Sequence, residues 1–327
     1  MRNTFSPEMK EMKVDLKSIC DLIERHFKDT LIRLMRLPKK TPRSVVYFLA
    51  GSIPGIALLH TRQLSLFGMI TRQSGSILHT HAFNLFSSQT ICKLSWFHQI
   101  RNLCLLYALP HPLDLLNSPP SRLKFKNLVK KKIISHWEDQ LRSESAILPS
   151  LEFFHPEYMS LTRPHLLWST AGSSPAKISM ASVQATLLSG RYRTEALTRH
   201  WSSNKSGICL LSPTCRAGGI KEDLRHMLQL CPALQNTRKK LEEYTVEATS
   251  SLDDHIQNVI FNLCSPTSLD FCQFLLDCSS LPAVISLAQQ HGADTFSVMF
   301  QISRTWVFVL HRERLRRLDR WEPGMQL

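Results

Sequence analysis

The chain has 327 residues, 43% of them hydrophobic, enough apolar mass for one large core or two ordinary ones. Only 11 glycines stand against many Leu, Ile and Met residues, which suits a helical protein and leaves no low-complexity or disordered tract. The net charge of +14 is uneven: residues 1–150 carry 22 Lys/Arg against 10 Asp/Glu, and residues 151–327 carry 18 against 16.

Between residues 31 and 132 there are 15 basic side chains and one acid, Asp114. A field of one sign favours a polyanion, nucleic acid or an anionic membrane face. The competing reading is a solvated basic surface. Nine cysteines is an odd number. Six of them (Cys20, Cys92, Cys104, Cys264, Cys272, Cys278) are scattered in apolar, helix-like contexts, which is no secreted disulfide framework. The opening MRNTFSPEMKEMKVDLK has no apolar core of the signal-peptide kind. The expectation is an intracellular protein of the nucleus or cytoplasm.

In chain order, apolar spacing through Ile19, Leu22, Ile23, Phe27, Leu31, Leu34 and Met35 predicts an amphipathic helix over 7–36, ended by Pro38 and Pro42. SVVYFLAGSIPGIALL, from Ser44 to Leu59, is the most apolar run. It is short for a membrane span and broken by Gly51, Pro54 and Gly55, so two buried segments joined by a turn are expected. Helical pattern resumes near 61–70, 81–90 and 92–108. After the breaker SPPSR, Leu123, Phe125, Leu128, Val129 and Ile133 outline an apolar face. Lys124, Lys126, Lys130, Lys131 and Lys132 cover much of the rest. That basic flank suits a phosphate backbone; a solvated helix face is the bland alternative.

Residues 146–176 hold four prolines and read as a partly packed connector. Helices are expected near 177–189, 233–248, 251–263, 267–278 and 280–290, and then through TFSVMFQISRTWVFVLHRERLRRLDRW, whose second half is rich in arginine. No lasting strand alternation is visible, except for a short hairpin around Cys209 to Cys215.

The stretch CLLSPTCRAGGIKEDLRHMLQLC, Cys209 to Cys231, has the spacing C-x5-C-x10-H-x4-C through Cys209, Cys215, His226 and Cys231. Structural zinc takes four Cys or His ligands in a tetrahedron, commonly one pair from a turn and one from a helix. Ser212, Pro213 and Thr214 supply a turn, and His226 and Cys231 sit on a predicted helix closed by Pro232. The first pair is wider than C-x2-C, with Ser212 where a tight knuckle would place cysteine. On spacing alone the alternative is a set of buried cysteines and a satisfied helix histidine, with His200 as a spare nitrogen nearby.

SGRYRTEALTRHWSSNKSGICLLSPTC followed by EDLRHMLQLCPALQNTR resembles the region beyond the polymerase domain in LINE-type (non-LTR) retrotransposon reverse transcriptases. LHTRQLSLFGMI and SWFHQIRNLCLLYALPHPL look like the thumb and linker of such proteins, and RTWVFVLHRERLRRLDRW like their tail. The similarity covers nearly the whole chain and is most specific from Ser189 to Arg238. It implies that Cys209, Cys215, His226 and Cys231 fall on a zinc-knuckle-like Cys-Cys-His-Cys set, in a region that grips RNA or DNA. It also implies a basic helical thumb/linker-like region at 1–145, the connector at 146–176, a Cys/His module at 177–240 and a helical region with an Arg-rich tail at 241–327.

The paired metal-binding aspartates of polymerase chemistry are not apparent. The only Asp pair, Asp253-Asp254, reads as a helix N-terminus, where negative charge is favoured. Neither G-x-x-x-x-G-K-[ST] nor G-x-G-x-x-G occurs. The expectation is therefore a mostly α, multi-segment helical array with a small zinc-stapled hairpin-helix unit, and no enzyme activity. Its partners would be RNA or DNA and a polymerase palm domain of the same element, with no membrane. Arg191, Arg193, Arg199, Arg216 and Lys221 would approach phosphates, with Tyr192 and Trp201 as stacking candidates. Two other readings are a helical protein-interaction domain with a basic face and a non-functional truncated remnant.

Overall fold

A computed structural model describes residues 16–88, 92, 95–200, 206–292 and 294–319. The first residues of the helix expected over 7–36, together with Trp201 and Arg320, lie outside the described residues. The chain is mostly α-helical, and among the described residues the sole β-pairing is one antiparallel bridge, Ile208 with Lys221. It divides into two compact units, one of residues 1–31 and 51–144 and one of 32–50 and 145–327.

The first unit contains most of α1 (Leu16–Leu34) and α7 (Arg122–Ala146), and between them α3 (Gly55–Ile70), α4 (Ile77–Ser88), α5 (Trp96–Leu106) and α6 (Pro112–Asn117). Its core gathers Leu64, Phe67, Phe86, Ile100, Val129 and Ile133. Phe67 meets Phe86 edge-on at 5.8 Å, an arrangement that suits the ring quadrupoles. The helix pair α3 and α7 approach so closely that a Cβ on Gly68 would overlap the Phe125 ring. A buried polar knot sits at Tyr107: its hydroxyl meets His60 Nδ1 at 2.6 Å and accepts from Trp137 Nε1 at 3.2 Å. Leu123, placed by its spacing on the buried stripe of α7, is exposed instead, because the packed face begins at Phe125. On α1, Leu22 and Leu34 are likewise exposed.

The second unit is organised on α16 (Asp294–Asp319), which packs against α9 (Pro175–Leu188), α12 (Gln235–Thr249), α14 (Phe271–Asp277) and α15 (Pro282–His291). Met299, Phe300, Ile302, Trp306, Val307 and Leu310 are fully buried; these positions fall within about 160° of the helix circumference and form one wide apolar face. Trp306 donates to Thr245 Oγ1 at 2.9 Å, satisfying its indole N–H in the core. In α9, Gln184 donates to the Leu275 carbonyl at 2.6 Å. α2 (Arg43–Ala50) is buried in this unit, and its Leu49 carbonyl accepts from His165 N at 3.1 Å. The run SVVYFLAGSIPGIALL thus forms two helices, α2 and α3, separated at Gly51, whose φ of +61° suits glycine. No single helix among the described residues is long and apolar enough to cross a membrane.

The proline-rich stretch 146–176 makes 3-10 turns at Pro149–Leu151 and Pro156–Tyr158 and a short helix, α8 (Leu166–Ser169), with Leu151, Phe154, Leu161 and Leu167 buried. α13 (Asp254–Cys264) starts as expected: Asp253 Oδ1 accepts from His255 N at 2.8 Å, an N-cap.

Candidate metal centre

The centre is built from two short pieces of irregular backbone. The first is a tight loop. Cys209 N donates to the Ile220 carbonyl and Glu222 N to the Gly207 carbonyl, closing the base of a hairpin. Inside it, Pro213 starts α11 (Pro213–Ala217) with its ring at the first turn, where no amide is needed. Gly219, at φ +62°, ends it. Gly219 N bonds the Arg216 carbonyl and Ile220 N bonds the Cys215 carbonyl, the paired bonds of a Schellman stop. Cys209 is thus held at the hairpin base and Cys215 on the small helix above it. The hairpin expected around Cys209 to Cys215 is wider than that: 207–209 pair with 220–222, and residues 210–219 form its loop.

The second piece corrects the sequence reading. Residues His226–Leu230 form one π turn, with Cys231 N bonded to the His226 carbonyl at 2.7 Å. In an α-helix, residues five apart point about 140° apart around the axis. The wider i→i+5 turn brings them to nearly the same side, which is how H-x4-C becomes a ligand pair. Asp223 Oδ1 accepts from His226 N at 2.7 Å and fixes the start of the turn. At its end, Arg238 Nη2 donates to the Cys231 carbonyl at 2.6 Å and Nη1 to the Leu228 carbonyl at 3.5 Å.

These two pieces bring Cys209, Cys215, His226 and Cys231 together, all buried, with their ligand atoms within 4.8 Å of one another. Cys209 Sγ lies 3.8 Å from Cys231 Sγ, and Cys215 Sγ lies 3.6 Å from His226 Nε2. A disulfide would need sulfurs about 2.05 Å apart. Four soft donors converging on one buried point can hold a metal ion. The hydrogen bond between the two thiols, reinforced by burial, pushes Cys209 up, and the same bond pulls Cys231 down. Burial raises Cys215 and lowers His226, so the imidazole is neutral and able to ligate. His200 is exposed and outside the cluster.

A buried ion pair ties the hairpin to α16. Arg314 Nε and Nη2 each donate to Glu222 carboxylate oxygens at 2.9 Å, and Glu195 N, at the start of α10 (Glu195–Thr198), donates to the same carboxylate at 2.8 Å. Arg314 also donates to the Arg193 carbonyl and stands over the Tyr192 ring. Tyr192 is buried, with its hydroxyl 2.8 Å from His311 Nδ1, so it is unavailable for stacking on a base. Nothing in the spacing marked Glu222, Arg314 or Arg238; Asp223, three residues before His226, has the capping-residue spacing that could have been recognised.

Of the proposed phosphate-binding side chains, Lys124, Lys126, Lys130 and Lys131 are exposed on α7 and Lys132 is half-buried. Arg193, Arg199, Arg216 and Lys221 are exposed around the metal unit and Arg191 is half-buried. A second polar cluster joins Asp277, His165 and Ser279. His165 Nδ1 accepts from Leu167 N, which leaves Nε2 facing both Asp277, at 3.4 Å, and Ser279 Oγ, at 3.4 Å. Ser279 gives its own proton to Asp277 Oδ1 at 2.6 Å. A hydrolytic triad needs serine and carboxylate on opposite ring nitrogens, so this cluster is a buried structural network. No protein-family model, curated protein or solved structure matches the chain.

Proposed function

We propose that this chain is a non-catalytic nucleic-acid-binding module of an intracellular protein, stapled by zinc, and that it derives from the C-terminal region of a LINE-type reverse transcriptase. The observation that carries the binding reading is the lysine face of α7. Lys124, Lys126, Lys130 and Lys131 project into solvent, and none is in an ion pair with a described acid. Uncompensated cations at helical spacing release counterions when they meet phosphates, which gives affinity without base readout.

Zinc is the ion that best suits the donors. Bonds of about 2.3 Å to sulfur and about 2.05 Å to nitrogen in a tetrahedron give edges of about 3.8 Å between sulfurs and about 3.6 Å from sulfur to nitrogen. Two of the six separations here are 3.8 Å and 3.6 Å, and all six lie within 4.8 Å. The four residues would hold the ion, which would supply a fold-stabilising cross-link and no reaction chemistry. A family origin rests on the resemblance of residues 189–238 and is checked by whether the reading frame upstream of Met1 continues into a palm domain with paired aspartates.

A second reading, a protein-interaction domain, is favoured by the large apolar side chains exposed in the first unit, among them Ile77, Leu105 and Leu123. The deciding measurement is anisotropy with single-stranded RNA and duplex DNA across 50–200 mM salt, the range over which binding to phosphates weakens steeply. Lys130→Ala/Lys131→Ala should reduce the log–log salt slope by about 1.4–1.8, about 0.7–0.9 for each phosphate left without its lysine. Affinity that stays flat with salt would overturn the binding reading.

A further inference from the structure

The metal reading leaves a question of charge. Three thiolates and a divalent ion sum to −1, and the four ligands lie inside the fold. Buried charge is tolerated only when it is matched nearby. Glu222 is close but already matched by the two-pronged contact of Arg314. Asp223 is exposed and spends one oxygen on the His226 amide. Lys221, Arg216 and Arg225 are exposed to water. One cation remains inside. Arg238 is 5% exposed, rises from the first turn of α12, and donates to the carbonyls of Cys231 and Leu228. It makes no ion pair with an acid among the described residues; the nearest carboxylate on its own helix, Glu242, is exposed one turn away. A buried guanidinium satisfied only by carbonyls is costly unless a negative charge lies within reach.

We propose that Arg238 is the counter-charge of the metal centre: it cancels the −1 of a Cys3His site loaded with a divalent ion and holds the Cys231 end of the π turn in ligating position. The inference rests on the metal reading above. It makes Arg238 a positioning residue, not a ligand, and it makes metal loading and the burial of Arg238 mutually supporting. The loaded centre supplies buried negative charge beside a guanidinium whose other acidic neighbour, Glu242, is exposed, so the pocket is matched to a divalent ion on three thiolates.

The test uses the full chain. Zinc content by elemental analysis comes first: wild type should carry one zinc per chain, and a chain that takes up no metal would sink the metal reading itself. Affinity is then measured by competition with a chromophoric chelator, and cobalt(II) substitution reports the thiolate-to-metal charge-transfer band. Arg238→Met and Arg238→Gln should each bind zinc about 10–100-fold more weakly, the usual effect of removing a partner just outside the ligands. Arg238→Lys should stay within about threefold of wild type, because it keeps the charge, and its cobalt spectrum should be unchanged. Arg238→Gln, which can still donate to a carbonyl, is the neutral variant to read if Arg238→Met is insoluble. Wild-type affinity in Arg238→Gln would overturn the proposal. So would an Arg238→Lys as weak as the neutral variants, since the fork to the carbonyls and not the charge would then be what matters.

Discussion

The ion pair between Glu222 and Arg314 is buried in the second unit, and its removal has a calculable cost. The two side chains are 0% and 4% exposed, so the pair is shielded from water. Burial works against the Arg314 charge, yet its hydrogen bonds to Glu222 hold the guanidinium above its ordinary pKa, fully charged. Arg314→Met deletes both bonds to the carboxylate and the bond to the Arg193 carbonyl, leaving Glu222 with the Glu195 amide. Breaking a buried pair by removing one partner costs about 3–5 kcal/mol, because a charge is stranded. Glu222→Gln should fall in the same range from the other side. The double variant should lose less than the sum of the singles by at least about 2 kcal/mol, since neither charge is then stranded. Urea unfolding followed by far-UV circular dichroism and by tryptophan fluorescence measures all four proteins, with m checked for constancy. Single variants within about 1 kcal/mol of wild type, or strict additivity, would refute the reasoning. Because Glu222 N also closes the hairpin that carries Cys209, both single variants should hold a metal ion less tightly.

Two further outcomes follow from local geometry. Burial, aided by the charge of His136, depresses the His60 ring to about 4. The unfolded ring protonates first, so the stability it contributes is complete above about pH 6.5 and is lost as pH falls toward 4. The full shift is worth about 3.4 kcal/mol, reduced to roughly 1–2 kcal/mol because the ring is partly solvated. Urea titrations at pH 7 and pH 4.5 should show this dependence and His60→Gln should flatten it; an equal slope in the variant would remove His60 from the account. Gly190, at φ +63°, has no room for a Cβ, which would overlap the Ser150 carbonyl, whereas Gly172, at φ +59°, faces open space. Gly190→Ala should therefore cost at least ~2 kcal/mol and Gly172→Ala only ~1 kcal/mol, the backbone strain alone. Equal melting shifts in the two would contradict the steric part.

Much of the helical architecture was legible because helix periodicity and its breakers are local. Pro38 and Pro42, the Gly51–Gly55 interruption and SPPSR all separate elements where the spacing placed them. The Asp253 cap was legible for the same reason. The four sulfur and nitrogen donors could be picked out as candidates from spacing, but the way they meet could not. A regular helix through His226 and Cys231 points them apart, and only the π turn, held by Asp223 and Arg238, corrects it. Burial of charge was the main thing hidden. Arg314 reads as one member of an arginine-rich run, and its burial depends on Glu222, 92 residues away. Tyr192 carries no local mark that separates a stacking platform from a core tyrosine, and its partner His311 is 119 residues distant.

Three buried arginines have a shared task that bears on where a polyanion can bind. Irregular backbone leaves carbonyls without helical partners, and such carbonyls need donors when buried. Arg304 reaches the Leu167 and Thr170 carbonyls at the end of α8, Arg238 those of Leu228 and Cys231 at the π turn, and Arg314 that of Arg193. A single guanidinium can serve two such groups because its donors form a planar fork. These cations are therefore committed to the fold, and replacing any of them with a neutral side chain should destabilise the second unit before it changes a salt slope. The lysines of α7 carry the opposite signature, exposed and outside any described ion pair, so their removal should leave stability nearly unchanged while lowering the salt dependence of binding. Separating those two effects, stability in one set and salt slope in the other, distinguishes a polyanion surface from a merely basic composition.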